Sequence, residues 1–331
     1  MFRDSTKVAG VLTREAVIWG YRLMLGREPE SESVIEAHRQ LADIPTFRRA
    51  LLECAEFAQH NPVSTMPRRW VIAPVLGGER MMWLDLGDHF VSRGCLVDDY
   101  EPAETHFVRA VLRPGDVFVD VGANIGWFTL VASVAVGETG RVHAFEPRAE
   151  TVARLIETVA LNELDDQVTI YPYGLADRET TGRLVWVSGT DNPGGSMIWT
   201  GEIPANMEEQ PIALRSLDAL TLERVDALKV DVEGSELRVF RGARKTLERC
   251  RPYILSELSP EMLHRASGLP VEAYFAFVDQ LGYRCFIVDV ERCGEETRGF
   301  PADWHKPLIN LALVPRERPA PESLWYPAPH A

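Results

Sequence analysis

The stretch "DVFVDVGANIGWFTL", Asp116 to Leu130, confines this chain more than any other segment. A run of β-formers enters a turn with glycines at 122 and 126, and a run of helix-formers follows at once. A buried strand that turns directly into a buried helix opens a β-α-β unit. Further short apolar runs then alternate with helical segments: "RVHAFEP", "QVTIYPYG", "DALKVDVEG", "PYILSEL", "YRCFIVDV" and "LINLALVP", with "AETVARLIETVALNEL" and "SELRVFRGARKTLERC" among the helices between them. The pattern predicts an α/β fold whose seven-stranded, mostly parallel sheet is covered on both faces. Right-handed crossovers bring the C-terminal ends of such strands to one edge, where a ligand binds.

Two segments depart from that alternation. Residues 182–215 carry "RLVWV", the turn-rich "SGTDNPGGS", "MIWT" and "PIALR", which predict a β-hairpin insertion laid over the ligand edge. The tail "PRERPAPESLWYPAPHA" holds five prolines and predicts an extended path over the surface. Residues 12–60 read as helices only. Val17, Ile18, Tyr21, Met24 and Leu25 recur at helical spacing behind a Thr13 cap, and Gly26 can end that helix. Ser33 and Glu36 form a capping-box pair for a second helix, and Phe47, Leu51, Cys54 and Phe57 mark a third. The division expected is a small all-α N-terminal module over 1–62 and an α/β domain over 63–331.

With 46% apolar and 25% charged residues the chain is of the soluble globular type, and its net charge of −14 argues against a nonspecific grip on nucleic acid or anionic lipid. Five scattered cysteines without a C-x-x-C pair suit reduced thiols and a cytoplasmic location. The start "MFRDSTKVAG" lacks a signal-type apolar stretch, and "GWFTLVASVAVG" is too short to span a bilayer. No stable membrane insertion is expected.

The chemistry gathers around the glycine turn. Gly122 and Gly126 let the backbone turn tightly and let a ligand approach with no Cβ in the way. A dinucleotide fingerprint would need a third glycine where Asn124 stands, and Asp120 would repel a pyrophosphate but welcome an ammonium group. Glu146, ending the next strand, is placed to accept hydrogen bonds from both ribose hydroxyls, or else to offset a helix dipole. Together these residues favour a cationic nucleoside cofactor, S-adenosylmethionine, over a nicotinamide dinucleotide. In "LKVDVEG", period-two alternation puts Lys229, Asp231 and Glu233 on one side of the strand as it reaches the ligand edge. Glu257, ending the following strand, would sit near Asp231; such a pair shares a proton or binds a divalent cation. No Asp or Asn doublet follows Glu257, so no metal is expected. In the insertion Asn192, Gly194, Gly195 and Ser196 form a polar turn that can close over an acceptor. Trp186 and Trp199 offer flat faces to a sugar ring, or simply stabilise the hairpin.

The blocks "YEPAETHFVRAVLRPGDVFVDVGANIGWFTL", "GRVHAFEP", "LNELDDQVTIYPYGLAD", "SLDAL" and "LKVDVEGSELRVFRGARKTLERCRPYILSEL" resemble the FkbM-type family of S-adenosylmethionine-dependent methyltransferases. The N-terminal "YRLMLGREPES" resembles a small helical domain found in bacterial proteins linked to surface glycans. The first resemblance implies a class I methyltransferase (Rossmann-like) fold and O-methylation of sugar or natural-product hydroxyls. It marks Asp120, Gly122, Asn124 and Gly126 around the methionine moiety, Glu146 at the ribose, and Leu175 and Ala176 of "GLAD" beside the adenine. Asp177 of the same block can equally cap the following turn. It also brings Tyr100, Glu101 and Glu104 near the cofactor, although "DDYEPAETHF" reads as well as an acidic helix start capped by its Asp pair.

Methyl transfer is an in-line displacement with the attacking oxygen about 3 Å from the methyl carbon, so positioning supplies much of the rate. An aliphatic hydroxyl also needs a proton acceptor, a role that falls to Asp231 or Glu233, with Glu257 beside them. In the alternative reading Lys229 and Asp231 simply pair with neighbours, and Glu236 reads as a residue that complements the helix dipole. Asn192, Ser196 and Trp199 are the expected acceptor contacts. The N-terminal helices are expected to serve a protein partner or self-association, and a catalytically inactive cofactor-binding module is the competing reading of the whole chain.

Overall fold

The computed structural model describes residues 12–41, 43–52, 54, 56–57, 70–187, 195–199 and 202–327. Three short helices come first: α1 (Arg14–Met24), α2 (Glu32–Arg39) and α3 (Ile44–Leu52). They close around Val17, Tyr21, Ile35, Phe47 and Leu51. Gly20 permits that closeness, since a Cβ there would lie 2.5 Å from the Phe47 ring. Thr13 caps α1 by accepting from the Ala16 amide at 3.1 Å. At α2 the cap is Ser31 rather than Ser33: Ser31 has extended backbone and accepts from the Val34 amide at 3.4 Å. Only a residue outside the helix can turn its hydroxyl onto the free first-turn N–H groups, and Ser33 already lies inside it.

A hairpin that the sequence reading missed follows, β1 (Trp70–Val75) and β2 (Arg80–Asp85). Its turn donates the Leu76 and Gly77 amides to the Asp98 carboxylate at 2.6 and 3.0 Å. Asp99 pairs with Arg49 of α3 at 2.7 Å. The Asp pair is therefore committed elsewhere and does not cap the helix after it. That segment holds a five-residue helix α4 (Ser92–Leu96) and then α5 (Pro102–Val111).

The main domain runs β3 (Val117–Val121), α6 (Trp127–Val136), β4 (Arg141–Phe145), α7 (Ala149–Leu161), β5 (Val168–Tyr171) and β6 (Gly174–Leu175). The insertion supplies β7 (Thr180–Val187), β8 (Met197–Trp199) and β9 (Met207–Arg215). The chain then returns through β10 (Ala227–Val230), α8 (Glu236–Gly242), α9 (Arg244–Cys250), β11 (Tyr253–Leu258), α10 (Pro260–Ser267), α11 (Glu272–Gln280), β12 (Tyr283–Ile287), β13 (Glu296–Thr297) and β14 (Ile309–Pro315).

All seven predicted strands form, and the two-residue β13 adds an eighth at the edge: the order is β13-β12-β14-β11-β10-β3-β4-β5. Neighbours from β5 to β11 are parallel, and β14 is antiparallel to both β11 and β12. This is the class I methyltransferase arrangement that the resemblance implies. The chain winds outward from β3 to β5, then restarts at β10 on the other side of β3, so the crevice lies at the β3/β10 ends. Apolar clusters fill both faces, one around Phe107, Leu130 and Val131, the other around Leu237, Phe240 and Tyr274.

Three elements differ from the sequence reading. The insertion is wider than a hairpin: β7 and β9 pair directly, β8 takes the far edge of β7, and β6 joins β9, giving the order β6-β9-β7-β8. The helix expected over "SELRVFRGARKTLERC" breaks at Ala243. Gly242 just before the break lies so close to the insertion that a Cβ there would sit 1.9 Å from the Ala176 carbonyl oxygen. The C-terminal tail is partly a plug: Leu324 is buried, and Trp325 stacks on Phe107 at 6.1 Å and tilts over Phe286 at 5.0 Å. Its prolines hide two large apolar residues with a core to fill. Among the described residues no helix is long and apolar enough to cross a membrane.

Candidate functional site

The ends of β4, β3, β10 and β11 form the floor of a cleft of about 630 Å³, within the range usual for small-ligand sites. Strands sit about 4.8 Å apart, so the side chains at these four ends form a row.

Gly122 is the pivot of the floor. Its φ of +82° leads β3 into the turn, and a Cβ there would lie 1.9 Å from the Asp231 carbonyl oxygen at the end of β10. The turn is fastened to β4 by the Gly122 and Ala123 amides, which both donate to the Phe145 carbonyl at 3.0 Å. Asn124 follows on left-handed backbone, φ +51°, and donates its amide to Glu146 Oε2 at 3.0 Å. Glu146 Oε1 accepts from the Arg148 amide at 2.9 Å. Burial pushes the Glu146 carboxyl up to about 7 against those two hydrogen bonds. Asn124 Oδ1 is buried with no hydrogen-bond partner among the described residues.

Lys229, Asp231 and Glu233 come together, though not by alternation alone. β10 ends at Val230, and a left-handed turn at Glu233 (φ +52°) and Gly234 (φ +95°) carries the Glu233 side chain into the cleft. Glu236 holds this turn from below, accepting from the Val232 and Gly234 amides at 3.2 and 3.0 Å, which is a fixing role rather than simple dipole complement. The Lys229 ammonium is buried, 2.9 Å from Asp231 Oδ2 and 4.9 Å from the centre of the Phe128 ring. Burial alone would lower its proton affinity, but Asp231, Asp120 and Glu101 outweigh that and hold it above its ordinary value.

The cleft carries more carboxylates than cations. Glu101, on left-handed backbone at φ +44°, lines it with Asp231, Glu233 and Glu257. Strained non-glycine backbone gathers at functional sites, and three lining residues, Glu101, Asn124 and Glu233, show it here. Burial, then the neighbouring acids, push Glu233 up to about 8 and Glu257 well above the carboxylate range. Glu101 rises to about 8, chiefly by burial, with Lys229 opposing. Glu104 stands one turn away on α5, buried and bonded to Asn310 at 2.7 Å. Among the described residues no group of three or more His, Cys, Asp or Glu is arranged to hold a metal ion.

Several expected site residues lie elsewhere. Asp120 is fully buried beneath the floor; its Oδ2 accepts from the Thr129 hydroxyl at 2.7 Å, so it balances Lys229 and does not face a ligand. Gly126 does not line the cleft: a Cβ there would meet Leu155 at 2.8 Å, which makes it a helix-packing position. Leu175 lines the cleft, whereas Ala176 is buried in the small core of the insertion sheet. Asp177 pairs with Arg238 at 3.1 Å instead of capping a turn. Ser196 lines the cleft, but Trp199 does not: its indole donates to the Glu202 carbonyl at 2.8 Å. Trp186 packs under the Arg148 guanidinium at 4.3 Å. Asn192 and Gly194 lie outside the described residues.

The sequence reading missed the opposite wall. His89, Phe90, Arg93 and Asp99 line the cleft, and so does Arg49 of α3. The N-terminal helices thus reach the site, where only a docking role was expected of them. A lone surface arginine on an amphipathic helix carries no sequence signal for this.

Residues 120–285, half of the chain, match the Methyltransferase FkbM domain. The chain belongs to the FkbM methyltransferase family. The match begins at Asp120 beneath the glycine turn and ends on β12, so it contains the floor of the cleft. The chain is also 27% identical over 278 residues to the AMB antimetabolite synthetase AmbE of Pseudomonas aeruginosa, a match that covers 70% of this chain and 13% of that one. It is 31% identical over 159 residues to the 31-O-demethyl-FK506 methyltransferase FkbM of Streptomyces tacrolimicus, covering 40% of this chain and 60% of the relative. The chain therefore spans less than two thirds of either relative's length. A solved methyltransferase FkbM from Methylobacillus flagellatus overlays with a TM-score of 0.39 at 17% identity, over 63% of this chain and 50% of that one.

The cofactor of this FkbM domain is S-adenosylmethionine, and the floor fits it. Gly122 carries no side chain, which lets the Asp231 backbone close up against the turn, and Asn124 Oδ1 is a buried acceptor without a donor among the described residues, as an amino-acid ammonium would supply. Glu146 has lone pairs left for two ribose hydroxyls beyond its two backbone donors.

The same carboxylates set a pH dependence of folding. Glu104, Glu146 and Glu236 are pushed up to about 7, and Glu101 and Glu233 to about 8, chiefly by burial. Their folded-state values exceed the unfolded ones, so the folded chain holds more protons between about pH 5 and 8 and loses stability as pH rises through that window. The ligand-free protein should melt about 5 °C or more higher at pH 6 than at pH 9, by scanning calorimetry. A melting temperature that rises over that interval would contradict the burial of this cluster.

Proposed function

We propose that the chain is an S-adenosylmethionine-dependent O-methyltransferase whose acceptor is a hydroxyl of a sugar, glycan or natural product. The observation that carries this reading is the row across the cleft floor: a seat of Gly122, Asn124 and Glu146, and next to it Asp231, held by a buried lysine. S-adenosylmethionine supplies an electrophilic methyl group on a sulfonium sulfur. The chain's own residues do the rest. Glu146 and Asn124 orient the donor, with Leu175 as an apolar wall. Lys229 pairs with Asp231 at 2.9 Å, and Asp231 would take the proton of an acceptor hydroxyl whose oxygen receives the methyl group. Glu233, pushed up to about 8 and so protonated near neutrality, adds no competing negative charge and can donate a hydrogen bond to the acceptor, and burial raises Glu257 beside it in the same direction.

The name of the Streptomyces tacrolimicus relative, a 31-O-demethyl-FK506 methyltransferase, supports an oxygen acceptor. Incubation with methyl-labelled cofactor and a panel of hydroxylated glycans, lipid-linked sugars and polyketides should transfer label to a product that resists mild alkali, as methyl ethers do and methyl esters do not. Cofactor binding with no labelled product from any acceptor would favour the inactive binding module. Alkali-labile label would point to a carboxyl acceptor.

A further inference from the structure

Phe90 is an exposed aromatic on a tightly held turn. It is 62% exposed, and among the large apolar side chains exposed in the described residues it alone lines the cleft. Its backbone is tied down. Asp88, itself buried, accepts from the Phe90 and Val91 amides with one oxygen at 2.9 and 3.1 Å, and from the Ser92 amide with the other at 2.9 Å. The Asp85 amide donates to the Ser92 hydroxyl at 3.1 Å and the Gly87 amide to Asp85 Oδ1 at 2.9 Å, which locks both ends of the turn. Beside it, His89 lines the same cleft, and its Nε2 is buried with no hydrogen-bond partner among the described residues. A buried polar atom without a partner is costly to the fold. His89 lines the cleft, and a ligand seated there can bring its imidazole the partner it lacks among the described residues.

Building on the methyltransferase reading, we infer that His89 and Phe90 form the acceptor subsite, which recognises a polyhydroxylated ring of the pyranose type. The chemistry selects that class. One face of a pyranose is made of C–H groups and covers an aromatic ring, while its rim carries hydroxyls that donate to or accept from an imidazole nitrogen. A wholly apolar acceptor would leave His89 unsatisfied, and an open-chain polyol would leave Phe90 uncovered. The subsite stands apart from the cofactor seat in the chain: Glu146, Asn124 and Leu175 come from strand ends, whereas His89 and Phe90 come from the turn after β2. The N-terminal helices brace this wall, through Arg49 to Asp99 at 2.7 Å and through Arg93 Nη2 to the Leu52 carbonyl at 3.4 Å.

The test is saturation-transfer NMR on the full chain loaded with S-adenosylhomocysteine, with methyl glycopyranosides of the gluco, galacto, manno and rhamno series and sorbitol as the open-chain control. The wild type should saturate ring C–H protons of at least one glycoside and not those of sorbitol. Phe90→Ala and His89→Leu should each reduce that signal at least about fivefold, with S-adenosylhomocysteine affinity by calorimetry within about twofold of wild type. The inference is overturned by cofactor-loaded wild type that saturates none of the glycosides, by variants that keep the signal, or by a Phe90→Ala protein whose lost ligand is the cofactor product. Wild type that fails to bind S-adenosylhomocysteine overturns the methyltransferase reading itself, and this inference with it.

Discussion

Glu146→Ala should weaken S-adenosylhomocysteine binding by at least about 100-fold, close to 3 kcal/mol. Two effects add. The variant loses the carboxylate proposed to accept both ribose hydroxyls, and hydrogen bonds to a charged acceptor are worth about 1.5–3 kcal/mol each. It also releases the Asn124 and Arg148 amides that Glu146 holds at 3.0 and 2.9 Å, so the glycine turn keeps only its backbone ties to Phe145. Glu146→Gln keeps the shape and one acceptor oxygen, and should fall between the two. Calorimetric titration of the three proteins, with melting curves to confirm folding, decides the matter. Unaltered affinity in the alanine variant would end the ribose assignment. Because burial holds the Glu146 carboxyl near 7, wild-type affinity should also fall as pH drops below about 7, where the carboxyl takes up a proton and loses acceptor capacity.

Asp231→Asn should lower kcat by about 10²–10⁴-fold, the usual worth of a positioned general base. Affinity for S-adenosylhomocysteine should stay within about fivefold, since the amide fills the same space and Lys229 keeps Asp120 and Glu101 as counter-charges. Glu233→Gln provides the contrast. Glu233 is pushed up to about 8, so at pH 7 it is mostly protonated already and glutamine imitates that form. Its kcat at pH 7 should remain within about tenfold of wild type. Steady-state kinetics with any acceptor found by label transfer would separate the two residues. Normal turnover by Asp231→Asn, or a larger loss in Glu233→Gln, would move the base away from Asp231.

The seven strands were legible because parallel strands buried on both faces read as apolar runs whatever their neighbours are. The glycine turn, Glu146 and "DVEG" were legible because strand ends point to one edge. What alternation could not show is depth. Asp120 and Asp231 both lie near strand ends in the sequence, yet Asp120 is sealed under α6 by Thr129 while Asp231 opens on the cleft. Gly126 reads as part of a ligand loop, but the atom it makes room for is Leu155 of α7. These are tertiary facts with no local signal. The wall from His89 to Asp99 was illegible for a different reason: its turn is held by side-chain to backbone bonds of Asp85 and Asp88, a tie that leaves no periodicity or motif in the sequence.

The cleft has two lineages of wall. The floor lies within residues 120–285, the stretch that defines the family, whereas Arg49 and the segment from His89 to Glu101 precede it. On the acceptor subsite inferred at His89 and Phe90, the residues that meet the acceptor lie outside the family match, whereas those proposed to seat the donor lie inside it. Replacing residues 86–101 while leaving the strand ends alone is then expected to change acceptor preference and to spare S-adenosylhomocysteine binding.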